Sequence, residues 1–125
     1  MNLDKVIAGF FIILAMTLNF GFFYGDAQDI QMHSKYELFA AIIVNLIATV
    51  LKLGDKTQLG SVLIASSLVA DLQLITAATL WTVYSVNNEI SPEIFGIIIS
   101  LSGGALLANV SSVILYLGDT LQSKR

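Results

Sequence analysis

Four long apolar runs, separated by short polar connections, restrict what this chain can fold into. They cover about Val6–Gly25, Leu38–Leu53, Leu59–Val86 and Ile94–Leu117. A helix needs about 20 mostly apolar residues to cross the hydrocarbon of a bilayer. Within hydrocarbon an open chain has no water to satisfy its backbone groups, so helices are the expected form. The second run is short for a span, and the third is long enough to tilt or project. The reading is an all-α membrane protein, one transmembrane domain over residues 1–125, with four transmembrane helices at about 6–25, 38–53, 59–86 and 94–117. Connections at 26–37, 54–58 and 87–93 are short enough to make successive helices antiparallel neighbours in a bundle. The first run is too long for the apolar stretch of a signal peptide and lacks a convincing cleavage site, so it is expected to be retained.

Composition narrows the function classes. The 125 residues are 56% hydrophobic and 12% charged, against about 25% charged in a typical soluble domain. A soluble fold of this size leaves much of its area exposed and could not hide so much apolar surface. There are no cysteines, which excludes disulfides and thiolate chemistry. The single histidine, His33, excludes a multi-histidine metal site; in an outer loop it reads as a solvated side chain rather than a pH sensor. A net charge of −3 with no basic run gives nucleic acid no footprint. No phosphate loop, nucleophile elbow or zinc-protease motif is present, so an enzyme is not expected, and no cofactor is called for.

Lysine and arginine set the expected orientation. Lys5, Lys52, Lys56, Lys124 and Arg125 fall on the side holding both termini and the 54–58 turn; the other side holds Lys35 alone. Five against one puts both termini in the cytoplasm. Asp26, Asp29, Glu37, Glu89 and Glu93 then rim the outer face, which would favour cations over anions if they do more than solvate the loops. Tyr24, Tyr36, Trp81 and Tyr84 fit an interfacial aromatic belt.

Asp71 is the leading candidate site. It lies twelve residues after Leu59, about 18 Å along the third helix and close to the middle of the hydrocarbon. A charge there costs at least about 2.5–3.5 kcal/mol, so it should face the bundle interior or a watery cavity. Such a carboxylate can hold a proton or a cation, and competition between the two is the simplest chemistry of a proton-coupled exchanger. The competing reading is a hydrogen-bonded Asp that joins helices. Ile64, Ser67, Ile75 and Ala78 share its face by spacing, while Gln73 points elsewhere and would suit a subunit contact. Counting in from the 87–93 loop puts Asn109 at nearly the same depth, where it could donate to the carboxylate or complete an oxygen shell of the kind hard cations need. It could also serve only as an interhelical hydrogen bond. On the second helix Ala41, Asn45, Thr49 and Lys52 share a face. Asn45 and Thr49 could line a pathway or bond neighbouring helices, and Lys52, near the helix end, is expected to snorkel. Thr17 and Asn19 are weaker candidates of the same kind. Ser100, Gly104, Ala108 and Ser112 recur at four-residue spacing, with Gly103 beside them, and predict a tight helix seam.

Residues 52–60 read Lys-Leu-Gly-Asp-Lys-Thr-Gln-Leu-Gly. Over about ten residues this resembles the Glu-x-Gly-Asp-Lys/Arg-Thr signature of the small cation/proton exchanger family, which includes manganese and calcium exchangers. The resemblance implies a cation-ligating role for Asp55, followed by Lys56 and Thr57. Lys52 stands where that family has its Glu, and only one copy of the motif is present. The residues also read as a helix boundary, with Gly54 ending one helix and Asp55 capping the next in a box with Gln58. The stretches MNLDKVIAGFFIILAMTLNFGFFYG, ELFAAIIVNLIATVLKLGDKTQ and SLVADLQLI resemble a family of small bacterial four-helix inner-membrane proteins of unknown function. That likeness spans most of the chain and implies a bacterial plasma membrane, but no activity. Small multidrug exporters carry a Glu within their first helix, where this chain has no acid after Asp4. The Phe-rich third-helix segment of fluoride channels is absent as well.

The leading expectation is an ion channel or transporter for an inorganic cation, in contact with membrane lipid, with Asp71 central and Asn109, Asn45, Thr49 and Ser67 in support. The sequence does not select which metal, if any, it takes. Four thin helices enclose little space, so a homo-oligomer, most simply a dimer, is expected. The alternative is a non-transporting accessory subunit whose polar faces bind a larger membrane partner.

Overall fold

The computed structural model describes residues 3–24, 35–53, 58–86 and 89–122. It is all-helical: α1 is Leu3–Phe23, α2 Lys35–Lys52, α3 Gln58–Tyr84 and α4 Pro92–Gln122. Each helix begins one to three residues before the corresponding apolar run, and α4 ends five residues beyond its run. Hydropathy windows stop at charged or polar ends such as Lys35-Tyr36-Glu37, which the helices include. α1 packs on α2 and α4, and α3 packs on the same two helices, so the four form a closed ring.

The helix starts and stops follow local chemistry. Pro92 opens α4, where its missing N–H costs nothing because first-turn amides have no helical partner. Ser91 caps that turn: its Oγ accepts the Ile94 amide at 3.3 Å and its carbonyl accepts the Phe95 amide at 2.9 Å. α2 closes with a tight last bond, Leu53 N–H to the Val50 carbonyl at 3.1 Å.

Three helices, α1, α3 and α4, are long and apolar enough to cross a membrane. α2 is the exception at 18 residues, with Lys35, Glu37 and Lys52 among them. At 1.5 Å per residue it reaches about 27 Å, whereas α3 reaches about 40 Å and α4 about 46 Å. The outward faces are apolar: Phe10, Phe20, Ile43, Val50, Leu72, Leu107 and Ile114 are all exposed. Isolated in water, such a surface would be a large aggregation liability; in hydrocarbon it is solvated.

The interior divides into two halves. At one end Phe22, Leu38, Leu74, Phe95 and Ile98 form a dry core with small residues Ala41, Ala70 and Ala77 between them. Trp81 belongs to this core. Its ring lies 5.8 Å from Phe22 and 6.0 Å from Phe95, so it faces inward rather than joining an interfacial belt. The cause is azimuth: positions 70, 74, 77, 78 and 81 follow helical spacing on the inner face of α3. Tyr24, Tyr36 and Tyr84 do stay exposed. Ile75, expected on the inner face, is exposed as well. The rest of the interior mixes buried apolar residues such as Ile12, Ala15, Ala48 and Leu63 with the buried polar ones and holds the candidate site.

The α4 seam is real for part of the expected ladder. A Cβ on Gly104 would fall 2.6 Å from the Gln73 amide nitrogen, so this glycine lets α3 approach; Gln73 therefore lies in the α3–α4 seam. Ala108 packs on the core, and Ser112 is buried with its hydroxyl 2.6 Å from Ser66 of α3. Ser100 is exposed and takes no part. With 3.6 residues per turn, each four-residue step overshoots by about 40°, so three steps rotate Ser100 about 120° away from Ser112. Gly103, beside the ladder, packs instead against the Phe23 ring of α1.

Candidate functional site

α2 turns Ala41, Asn45, Ala48, Thr49 and Lys52 inward, as the spacing of its polar residues predicts. Opposite them, α3 buries Ser67 and Asp71, one helical turn apart. Asn45 donates its amide to the Ala41 carbonyl of its own helix at 3.0 Å. The Thr49 hydroxyl lies 2.7 Å from Asp71 Oδ2 and 2.9 Å from the Asn45 carbonyl. Lys52 Nζ donates to Ser67 Oγ at 2.5 Å. The result is a polar row of two hydrogen-bonded pairs, Lys52–Ser67 and Thr49–Asp71, one helical turn apart across the α2–α3 contact.

Lys52 corrects a sequence expectation. Rather than snorkelling outward it is 6% exposed, within electrostatic reach of Asp71. The short length of α2 explains this. Lys52 ends its helix, yet it meets Ser67, nine residues inside α3 and so about 14 Å from that helix's start. The helix ends are staggered; the Ser67 hydroxyl accepts from the ammonium, and the charge of Asp71 nearby favours it. Buried charges persist when paired and hydrogen-bonded.

Asp71 is 5% exposed, and its Oδ1 has no hydrogen-bond partner. Buried carboxylate oxygens are nearly always satisfied, so an orphan one calls for an explanation such as a water, an ion or a proton. Beyond the end of α2 lies a cavity of about 170 Å³, lined by Asp4, Lys5 and Ala8 of α1, Leu51 and Lys52 of α2, Leu63 of α3, and Tyr116 and Asp119 of α4. Lys5 and Asp119 pair across its rim at 3.7 Å, both partly exposed. The Tyr116 hydroxyl donates to the Lys5 carbonyl at 2.5 Å and ties α4 to α1. Among the described residues lining it, Lys52 also belongs to the buried row, so the row reaches the vestibule through the Lys52 side chain.

Asn109 lies elsewhere. Its amide donates to Asn19 Oδ1 at 3.0 Å, and Asn19 donates in turn to the Ser102 carbonyl at 3.0 Å, all buried. Depth counting put Asn109 level with Asp71, but its azimuth faces α1, so it fastens α1 to α4. Thr17 is exposed and bonds its own helix. Asp55, Lys56, Thr57 and His33 lie outside the described residues. Among the described residues, no three His, Cys, Asp or Glu side chains cluster as a metal site.

These features define a class: a helical bundle suited to a membrane, carrying one buried carboxylate–ammonium row that opens at one end. The chain belongs to the Family of unknown function (DUF6394), whose pattern matches residues 32–120. The match takes in Thr49, Lys52, Ser67 and Asp71. No curated protein and no solved structure matches the chain.

Proposed function

We propose that this protein is an integral membrane channel or transporter for cations, with Asp71 as its central group, acting as a homo-oligomer in a bacterial plasma membrane. The carrying observation is Asp71 itself: an acid in the middle of the apolar α3, buried, with one oxygen unpartnered. An ionisable residue at such depth marks an ion or proton path by default. The vestibule at Lys52 supplies a polar approach from one side. In this reading α2 is a fourth, short span, and its end charges sit where neighbouring helices are longer. Successive helices run antiparallel, which agrees with Phe22, late in α1, meeting Trp81, late in α3, and Phe95, early in α4. The five-to-one excess of lysine and arginine in the sequence on the side of both termini supports a cytoplasmic position for that side. Four thin helices enclose little space, so a second copy would complete the path.

The test is cation flux into proteoliposomes holding the purified protein, wild type beside Asp71→Asn, with a pH-sensitive dye inside. Flux in the wild type that Asp71→Asn abolishes is the expected result. A folded wild type that passes no cation would overturn the reading, and the accessory-subunit alternative would then lead the search for a membrane partner.

A further inference from the structure

The Thr49 hydroxyl has one proton and two acceptors within reach: Asp71 Oδ2 at 2.7 Å and the Asn45 carbonyl at 2.9 Å. A hydroxyl donates one hydrogen bond at a time while still accepting others. Thr49 can therefore satisfy either state of the carboxyl group. When Asp71 is ionised, Thr49 donates to Oδ2. When Asp71 carries a proton on Oδ2, that proton is donated to Thr49 Oγ1, and the threonine turns its own hydrogen to the Asn45 carbonyl. Only a proton is added and only a hydroxyl rotates; no other bond is made or broken.

The same row is poorly suited to a metal ion. Hard cations need about six or more oxygen ligands. This row offers the Asp71 carboxylate and two hydroxyls, and one of those, Ser67 Oγ, already accepts from the Lys52 ammonium. That ammonium is a tethered cation beside the only acid of the row, and a second permanent positive charge would meet it directly. A proton adds no ligand requirement. It also cancels the negative charge beside the Lys52 ammonium, which already borders the vestibule with Asp4 and Asp119.

Resting on the transport reading above, we infer that the cation handled by Asp71 is the proton, held by an Asp71–Thr49 relay and admitted from the vestibule past Lys52. The charged and titratable groups around this path are Asp4 and Lys5 on α1, Lys52 on α2, Asp71 on α3, and Tyr116 and Asp119 on α4.

The experiment has two readouts. The first is infrared difference spectroscopy of the reconstituted wild type across a pH titration. A protonated-carboxyl C=O band is expected that is absent in Asp71→Asn, moved in Thr49→Val, and restored in position by Thr49→Ser. The second is flux in proteoliposomes under an imposed membrane potential, with protons, Na⁺, K⁺, Mg²⁺, Ca²⁺ and Mn²⁺ tested separately. Proton uptake without metal flux, lowered roughly tenfold or more by Thr49→Val as expected for losing a charge-assisted hydrogen bond, supports the inference. Metal flux with no Asp71 carboxyl band overturns it while leaving the transport reading in place. A titrating Asp71 band that Thr49→Val moves, with no flux of any cation, supports the proton site and overturns the transport reading.

Discussion

The Asn19–Asn109 pair permits a quantitative test of how the two polar clusters divide their work. Asn19 spans two contacts between α1 and α4, to the Ser102 carbonyl and from the Asn109 amide, each 3.0 Å. Hydrogen bonds between helices in a membrane average about 0.6 kcal/mol and reach about 1.7 kcal/mol. Removing both bonds with Asn19→Ala should therefore cost about 1–3 kcal/mol, and Asn109→Ala, which removes one, about 0.5–2 kcal/mol. A double-mutant cycle isolates the shared bond, with an expected coupling of about 0.6–1.7 kcal/mol. The cycle between Asn109 and Asp71, which share no hydrogen bond, should be additive within about 0.5 kcal/mol. Reversible unfolding in mixed micelles is the assay. Trp81, the only tryptophan, reports through its packing between Phe22 and Phe95. Coupling near zero for Asn19–Asn109 together with about 1 kcal/mol for Asn109–Asp71 would refute the division: Asn109 would then belong to the carboxylate, not to the α1–α4 seam.

Four further changes probe packing and the ties across the vestibule. A Cβ on Gly96 meets nothing within 4 Å, so Gly96→Ala should stabilise by about 0.5–1 kcal/mol through helix propensity. One on Gly103 falls 2.9 Å from the Phe23 ring; overpacking of about 1–3 kcal/mol should exceed that gain, giving a net loss on the order of 1 kcal/mol in the same unfolding assay. Tyr116→Phe removes the bond to the Lys5 carbonyl and should cost about 1 kcal/mol, whereas Asp119→Asn, which breaks only a half-exposed 3.7 Å pair, should cost less than about 1 kcal/mol and little at high salt. Equal losses from the last two variants would contradict this ranking of the rim contacts.

What the sequence revealed, and what it hid, follows from the geometry of helices. The inner face of α2 was legible because Ala41, Asn45, Thr49 and Lys52 are the small or polar positions at three- and four-residue spacing in an otherwise apolar helix. Asp71 was legible because it is the one charge within the long apolar run of α3. The face of α3 was less so, since apolar residues surround that helix on every side and only contact separates inward Leu74 from outward Leu72. The partner of Asn109 was hidden because depth along a helix says nothing of azimuth. Ser100 was misplaced because exact four-residue spacing drifts around a helix of 3.6 residues per turn.

The stagger of α2 against α3 was the most consequential feature that the sequence left unseen. A residue at a helix end is expected at the water interface only if neighbouring helices end at the same level. α2 stops about 13 Å short of the length of α3, so Lys52 meets the interior of its neighbour rather than the interface. The same shortness vacates the volume that becomes the vestibule, bounded by α1, α3 and α4 and floored by Lys52. A longer α2 would have filled that space with side chains. The one helix that falls short of a membrane span by length and composition is thus the helix that brings an ammonium within electrostatic reach of the buried acid.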